Sequence, residues 1–416
     1  MRKFLVCAVL AMACSLAVPA FAQEAVRIGC LFPFSGPLAL LGQESFNGAE
    51  LARTIVNERG GVFGKPIEWV KGDAVDTKAA VAEAERLITV EKVKVIFGTY
   101  SSSLAYAASA VAERYGVIYW EQGGIADDIT ARGFKYLFRT IPTGSNMGMS
   151  AANYAAEVVA PALGIDVSEL KVAIAHEDTL YGTTVGSNAA KRAVELGMKL
   201  VSVDGYNNKA VDLSSLILKL KAAQPDVLIA TSYVNDGILF YRQMQEYDFN
   251  VKAFIGTGAV HGMPVFGETF GPQVNGVINF DPPSRINPAS INPDVNPGLE
   301  EFQRRFMDQY GHEPLTHATA GFVSAMVLFQ DVLPRAGSLD PEAIRKAALE
   351  TDIPNGGTVS YWGVKFAPPG HPAAGQNLRA SMIGLQWQDG NLYPIHPEVL
   401  ATKKMILPFP RWKDRR

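Results

Sequence analysis

The feature that most restricts how this chain folds is a repeated pattern: a short apolar run, a loop, then an amphipathic segment with helical spacing. The first run is VRIGCLF at 26–32, followed by the loop SGPLALLGQ and a helical stretch over about 45–58. That stretch carries Ala49, Leu51, Ala52, Ile55 and Val56 on one side and ends at Gly60-Gly61, since glycine readily supplies a left-handed C-terminal residue. The cycle continues through PIEWVKGD and TKAAVAEAERLITVE, then EKVKVIFG and a helix beginning near the triplet Ser101, Ser102 and Ser103, then the strand GVIYWEQ. A second series starts after residue 142: KVAIAHED, a helix at 182–196, KLVSVDGY, a helix at 212–223, DVLIATS, a helix at 235–247 and VKAFIGT. Short apolar strands alternating with helices require a mostly parallel sheet covered on both faces. Two such series predict an α/β protein of two similar lobes, with strand ends of both sheets facing a cleft between them. The Pro-, Asn- and Ser-rich stretch at 281–299 reads as a connection, with helices following at about 298–310 and 316–335. From 356 to 416 helical periodicity is absent, short strands and extended chain are expected, and WQDGNLY carries a hairpin signal.

The beginning of the chain reads as a removable export signal. Arg2 and Lys3 precede the apolar stretch 4–18, and Ala20-Phe21-Ala22 supplies a small-residue cleavage site, which predicts a chain starting at Gln23. Cleavage before Cys14 with lipidation is the competing processing, but Ala11-Met12-Ala13 is a poor match for it. The whole chain of 416 residues has net charge −3; losing Arg2 and Lys3 makes it −5. Mild acidity without a basic run argues against nucleic acid or an anionic membrane surface as partner. No later stretch reaches the length of a membrane-spanning helix. Cys7 and Cys14 leave with the signal, so Cys30 remains alone, without an intrachain disulfide or a cysteine metal cluster.

Catalytic signatures are missing. The chain has no nucleophile elbow, P-loop, H-E-x-x-H or dinucleotide fingerprint after a strand, and its six histidines are dispersed. His176, at a strand end, reads as a hydrogen-bonded structural residue. The serine triplet has two readings. One serine is an ordinary N-cap with the others in solvent, or the hydroxyls join the free first-turn N–H groups in a small uncharged cradle for an anion such as a carboxylate.

GCLFPFSGPLALLGQESFNGAELARTIVNERGGVFGKPIEWV resembles the opening of bacterial periplasmic leucine/isoleucine/valine-binding proteins. The likeness continues through DAVDTKAAVAEAERLI, FGTYSSS, ITARGFKYLFRT and HEDTLYG, covering roughly residues 26–350. That family comprises type I solute-binding components of ABC importers for hydrophobic amino acids, with relatives that bind amides and urea. The resemblance implies a two-lobed type I periplasmic binding protein divided as signal 1–22, first lobe 23–142, second lobe 143–281, return to the first lobe 282–350, and second-lobe C-terminal strands and tail 351–416. It implies a periplasmic monomer that is not an enzyme, needs no cofactor or metal, closes about a hinge around a small amino-acid-like ligand, and delivers it to a membrane permease. An amide, urea or other small neutral or carboxylate solute is the alternative ligand, and a ligand-presenting sensor subunit the alternative role.

Position by position, Ser102 matches the serine that holds the ligand carboxylate, with Ser103 beside it. Gly123, Gly124 and Ile125 match a loop of backbone donors and acceptors, and Tyr181 and Tyr233 match aromatics that close from the second lobe. Three departures stand out. The acid that often receives the ligand ammonium is replaced by Gly258, the often aromatic wall residue is Leu41, and the cysteines that some members pair near Val75 and Ser101 are missing. Glu121 is a substitute for the acid, facing either a ligand ammonium or Arg139. Asp236 is a weaker one, since Asn235-Asp236 also fits a helix N-cap. Tyr100 and Trp120 are candidates to line the pocket or to sit in the core.

Overall fold

The computed structural model describes residues 24–415. The export signal, its cleavage site and Cys7 and Cys14 lie outside the described residues. Five strands, β1 (Val26–Phe32), β2 (Ile67–Asp73), β3 (Val95–Gly98), β4 (Ile118–Glu121) and β5 (Leu137–Arg139), form a wholly parallel sheet in the order β2-β1-β3-β4-β5. β3 and β4 are buried along their whole length, which is why they read as short apolar runs, broken in β4 only by the terminal Glu121. Cys30 of β1 is a fully buried free thiol. Strands β6 (Lys171–Glu177), β7 (Lys199–Tyr206), β8 (Val227–Thr231), β9 (Ala253–Thr257), β10 (Ile278–Asp281), β11 (Ile383–Gln388) and β12 (Asn391–His396) form the second sheet. Its order is β12-β11-β10-β9-β8-β6-β7, parallel from β7 to β10 and antiparallel at β11 and β12. The β11–β12 turn is Asp389-Gly390, both at positive φ (52° and 77°), as a tight two-residue hairpin demands.

Helix α1 (Ala39–Glu58) begins six residues earlier than its periodicity predicts, so Leu41 is a buried core residue. It crosses the helix Thr316–Met326 at very short range. A Cβ on Gly48 would lie 1.9 Å from the Ala318 carbonyl oxygen, and one on Gly321 would lie 2.1 Å from that of Ser45. Only glycine at both positions permits this approach, and it sets Ser45 beside Gly321 in the middle of the later helix. Helices α2 (Thr77–Thr89) and α3 (Ser102–Tyr115) complete the first series. Helix α4 (Gly144–Tyr154) carries too little periodicity to be expected, because its inner face is glycine and alanine: a Cβ on Gly148 would sit 2.4 Å from the Val185 carbonyl oxygen.

The boundary expected at 350 moves. Residues 351–379 stay with the first sheet, not the second: Arg139 N–H donates to the Gly375 carbonyl (2.9 Å) and Asn377 N–H to that of Arg139 (2.8 Å). Phe366 packs on Trp120 and Phe138, at 5.3 and 5.2 Å between ring centres. The chain therefore passes between the sheets near 140–143, 281–284 and 379–382. Beyond β12 the tail returns to the second sheet, where Arg415 stacks on Phe409 and Trp412 and donates to the Tyr241 hydroxyl.

Candidate functional site

The loop that leaves β4 is held from both sides. Glu121, with no exposed surface, accepts through Oε1 from the N–H groups of Gln122, Gly123 and Gly124 (3.1, 2.7 and 2.6 Å). Its Oε2 accepts from the N–H and hydroxyl of Thr99 (2.7 and 2.9 Å). Burial pushes its pKa up while these donors pull it back. Arg139, equally buried, donates to the carbonyls of Gly124 and Ala126, to Gln376 Oε1 and to the Thr130 hydroxyl, and loss of hydration lowers its pKa to about 10. Glu121 thus has neither partner considered for it: it does not face the cleft and forms no ion pair with Arg139, because five backbone and hydroxyl donors already occupy its lone pairs. The same bonds correct the reading of the loop as a set of free donors. The N–H groups of Gly123 and Gly124 belong to Glu121, and that of Ile125 to Ser102.

The N-terminus of α3 meets this loop. Ser101 is its N-cap residue but makes no side-chain capping bond, so the first-turn N–H groups have no hydroxyl laid over them. Ser102 Oγ accepts from the N–H groups of Ile125 and Ala126, both at 3.1 Å. A hydroxyl has two lone pairs and one proton, so the proton of Ser102 is left to donate, and the side chain borders the cleft. Ser103 is half-buried and does not border it. Tyr100, at the left-handed φ of 88°, crosses the cleft wall with Cα 2.4 Å from where a Cβ on Gly123 would stand. Such strain in a non-glycine residue is characteristic of sites where geometry is over-determined.

The opposite wall comes from the second sheet. Glu177 ends β6 and accepts from the N–H and hydroxyl of Thr179 and the N–H of Gly182 (2.6, 2.7 and 2.6 Å), capping the helix Leu180–Glu195. This fixes Tyr181, whose hydroxyl donates to the Thr257 carbonyl. Tyr233 precedes the helix Val234–Glu246, and its ring centre is 5.1 Å from that of Tyr181. The hydroxyls of Tyr233 and Ser101 meet across the cleft at 3.2 Å. Asp236 lies behind this wall, not in it: Tyr233 is the N-cap residue, and Asp236, three residues on, reaches back to accept from the Tyr233 N–H (3.2 Å) and from the Tyr206 hydroxyl (3.0 Å), while burial raises its pKa to about 6.

Between the walls is a narrow cavity bordered by Tyr100, Ser102, Gly123, Ile125, Tyr181, Tyr233 and Gly258. Gly124 is outside it. Trp120 is core, donating to Ser324, and His176 packs on Gly186 and Gly205. Ile141, Met147, Ala320 and Met382 supply apolar surface.

Four polar residues not anticipated from the sequence also border the cavity: Ser45, Gln122, Asp281 and His317. Neither the oxygen nor the nitrogen of the buried Gln122 amide has a partner, nor do Ser45 Oγ and His317 Nε2. Burial lowers the His317 pKa to about 4, so its ring is neutral at neutral pH. Asp281 ends β10, and burial raises its pKa to about 7. The available signal for Gln122 was its place one residue past Glu121, since neighbours on a strand point to opposite faces; Asp281 opens the Pro-, Asn- and Ser-rich stretch that reads as a connection, so no strand-end signal attaches to it. Among the described residues no group of three or more His, Cys, Asp or Glu side chains is placed to hold a metal ion, and no helix is long and apolar enough to cross a membrane.

Comparison with known proteins agrees with this architecture. Among solved structures, a leucine-binding protein LivK from Thermotoga maritima superposes with a TM-score of 0.76 at 21% identity, covering 89% of this chain and 98% of that one. An ABC-transporter solute-binding protein from R. palustris, in complex with benzoate, gives 0.75 at 18% identity, covering 91% and 100%. At these identities the likeness concerns the fold. Leu/Ile/Val-binding protein homolog 8 of Brucella abortus (strain 2308) is 40% identical over 407 residues, 97% of this chain and 98% of that one. The family model for periplasmic binding proteins matches residues 25–390. A cleft walled by two α/β lobes and full-length likeness to such proteins lead to one conclusion: this chain belongs to the periplasmic binding protein family, as a solute-binding protein and not an enzyme.

Proposed function

We propose that the protein is the periplasmic receptor of an ABC importer, exported by a signal cleaved after Ala22, which captures a small carboxylate-bearing, amino-acid-like solute and presents it to a membrane permease. The observation that carries the carboxylate is Ser102: with both lone pairs engaged by Ile125 and Ala126, its one proton is directed to an acceptor in the cleft. The uncapped first turn of α3 adds N–H groups and positive dipole at the same place. Tyr181 and Tyr233 form the opposing wall, and the apolar border of Ile125, Ile141, Met147 and Met382 suits a hydrophobic side chain. The names of the relatives and neighbours, Leu/Ile/Val-binding and leucine-binding, support the same class of solute.

Closure is the mechanism. The two lobes meet through Ser101 and Tyr233 only when the cleft is narrow, so a solute touching both walls adds its contacts to the closed arrangement and shifts the equilibrium towards it. A neutral amide is the second reading, favoured by the unpartnered donor and acceptor of Gln122, which together match a primary amide.

The test is a thermal-shift and calorimetric screen of the purified protein against amino acids, amides and urea, since a bound solute stabilises the fold by mass action. Ser102→Ala is expected to weaken a carboxylate solute by about 1.5–3 kcal/mol, the worth of a charge-assisted hydrogen bond. Unchanged affinity removes Ser102 as the anchor.

A further inference from the structure

Beside Gly258 the cleft contains a carboxylate delivered from the neighbouring strand. Asp281, at the end of β10, is 1% exposed. Its Oδ2 accepts from Asn279 Nδ2 (3.1 Å) and the Thr316 hydroxyl (2.8 Å). Its Oδ1 accepts from neither and lies 3.5 Å from the point where a side chain on Gly258 would begin. The Tyr181 hydroxyl is 3.1 Å from that point. The other titratable groups near Asp281 are Tyr100, Tyr181 and His317, and no Lys or Arg forms an ion pair with it among the described residues. A buried carboxylate ordinarily has a cation or a full set of donors. Here one oxygen has two donors and the other has none.

Resting on the carboxylate-solute reading above, we propose that Asp281 is the specificity-determining residue of the cleft: its Oδ1 receives the protonated amine of the solute, restricting the ligand to acids that also carry an amino group. The bond from Thr316 then has a second consequence. Thr316 starts a helix packed on α1 of the first lobe, whereas Asp281 ends a strand of the second, so the anchor is held at a passage between lobes and reports the amine to both. Burial raises the Asp281 pKa to about 7 while the bonds from Thr316 and Asn279 pull it back, and an ammonium beside Oδ1 favours the charged form. Discrimination against a solute without the amine is strong in such a site because the charged oxygen is then buried unpaired.

Calorimetry with matched probes tests this. Leucine, valine and phenylalanine are each compared with the same acid lacking the amine (4-methylpentanoate, 3-methylbutanoate and 3-phenylpropanoate), with benzoate as an acid of another shape. In the wild-type protein at least one amino acid is expected to bind tighter than its amine-free partner by about tenfold or more. Asp281→Asn is expected to abolish that ratio, with weaker binding of the amino acid and tighter binding of the amine-free acid than in wild type. Equal or tighter binding of the amine-free acid or of benzoate by wild type, or a ratio that survives in Asp281→Asn, overturns the role of Asp281 and leaves the carboxylate reading standing. If amides or urea bind and no acid of either kind does, both readings fall. The wild-type ratio needs no variant, so a misfolded Asp281→Asn does not protect the proposal.

Discussion

His261 shows at the scale of one residue how burial converts a titratable group into a pH-dependent stability term. It is 1% exposed, packed between Phe254 and Phe266, with Nδ1 unpartnered, and burial lowers its pKa from 6.5 to about 4. A lowered histidine pKa means that the unfolded chain takes up the proton first, so the stability this residue contributes is lost as pH falls from about 6.5 to 4. Asp236 and Asp281 have the opposite sign. Their raised folded-state values favour the fold below about 3.8, and that contribution is lost as pH rises through 6 and 7 respectively. The two effects oppose each other in the wild-type profile, so a difference measurement is required. The stability gap between wild type and His261→Gln is expected to move against wild type by about 1.4 kcal/mol per pH unit on descending from 6.5 to 4. Denaturant unfolding at several pH values measures it, and a gap independent of pH rejects a neutral buried histidine.

At the scale of elements, the two strand-end glutamates do parallel work. Glu121 after β4 and Glu177 after β6 each gather the N–H groups of the loop that follows, and each thereby sets a wall of the cleft. Glu121→Ala strands the N–H groups of Gly123, Gly124 and Thr99 in the interior, while the Gln122 N–H keeps the Gly98 carbonyl and the Thr99 hydroxyl keeps Tyr119. The expected loss of folding stability is about 3–5 kcal/mol, typical of breaking a buried charge-bonded network. Thermal or urea unfolding reads this directly. A loss under about 1 kcal/mol contradicts the clamp and returns Glu121 to consideration as a group facing the solute.

At the scale of the whole molecule, the proposed closure involves bonds that join the two lobes, among them Ser101 with Tyr233 across the cleft. Tyr233→Phe keeps the ring against Tyr181 and removes the bond across the cleft. The expected cost is about 0.5–1.5 kcal/mol of closure, seen as a similar loss of affinity for every solute the protein binds. Calorimetry on chemically different solutes distinguishes this from direct recognition: a loss confined to one solute class places the Tyr233 hydroxyl on the ligand instead. Small-angle scattering with and without solute follows the closure itself.

How much of this was legible depended on the range over which each feature is determined. Alternating apolar runs and helical stripes are local, so the two α/β series, nearly all their strands and the Asp389-Gly390 hairpin could be read directly. The small-residue face of α4 and the short strands β5 and β10 could not, because their burial comes from neighbours distant in the chain. The same division runs through the cleft. Ser102, Tyr181 and Tyr233 sit at strand-to-helix junctions, which α/β topology always brings to the sheet edge. For Glu121, the sequence leaves its direction undetermined: one turn of the loop decides whether a carboxylate faces a solute or five N–H and O–H donors. Gln122 follows β4, the neighbour of β3 in the first sheet, whereas Asp281 joins Ser102 in the cleft only through packing of the two sheets. Local pattern thus suffices for the architecture and for which strand ends face the cleft. Where the remaining polar groups point is set by contacts between segments far apart in the chain, because a side chain's direction and hydration depend on what is packed against it.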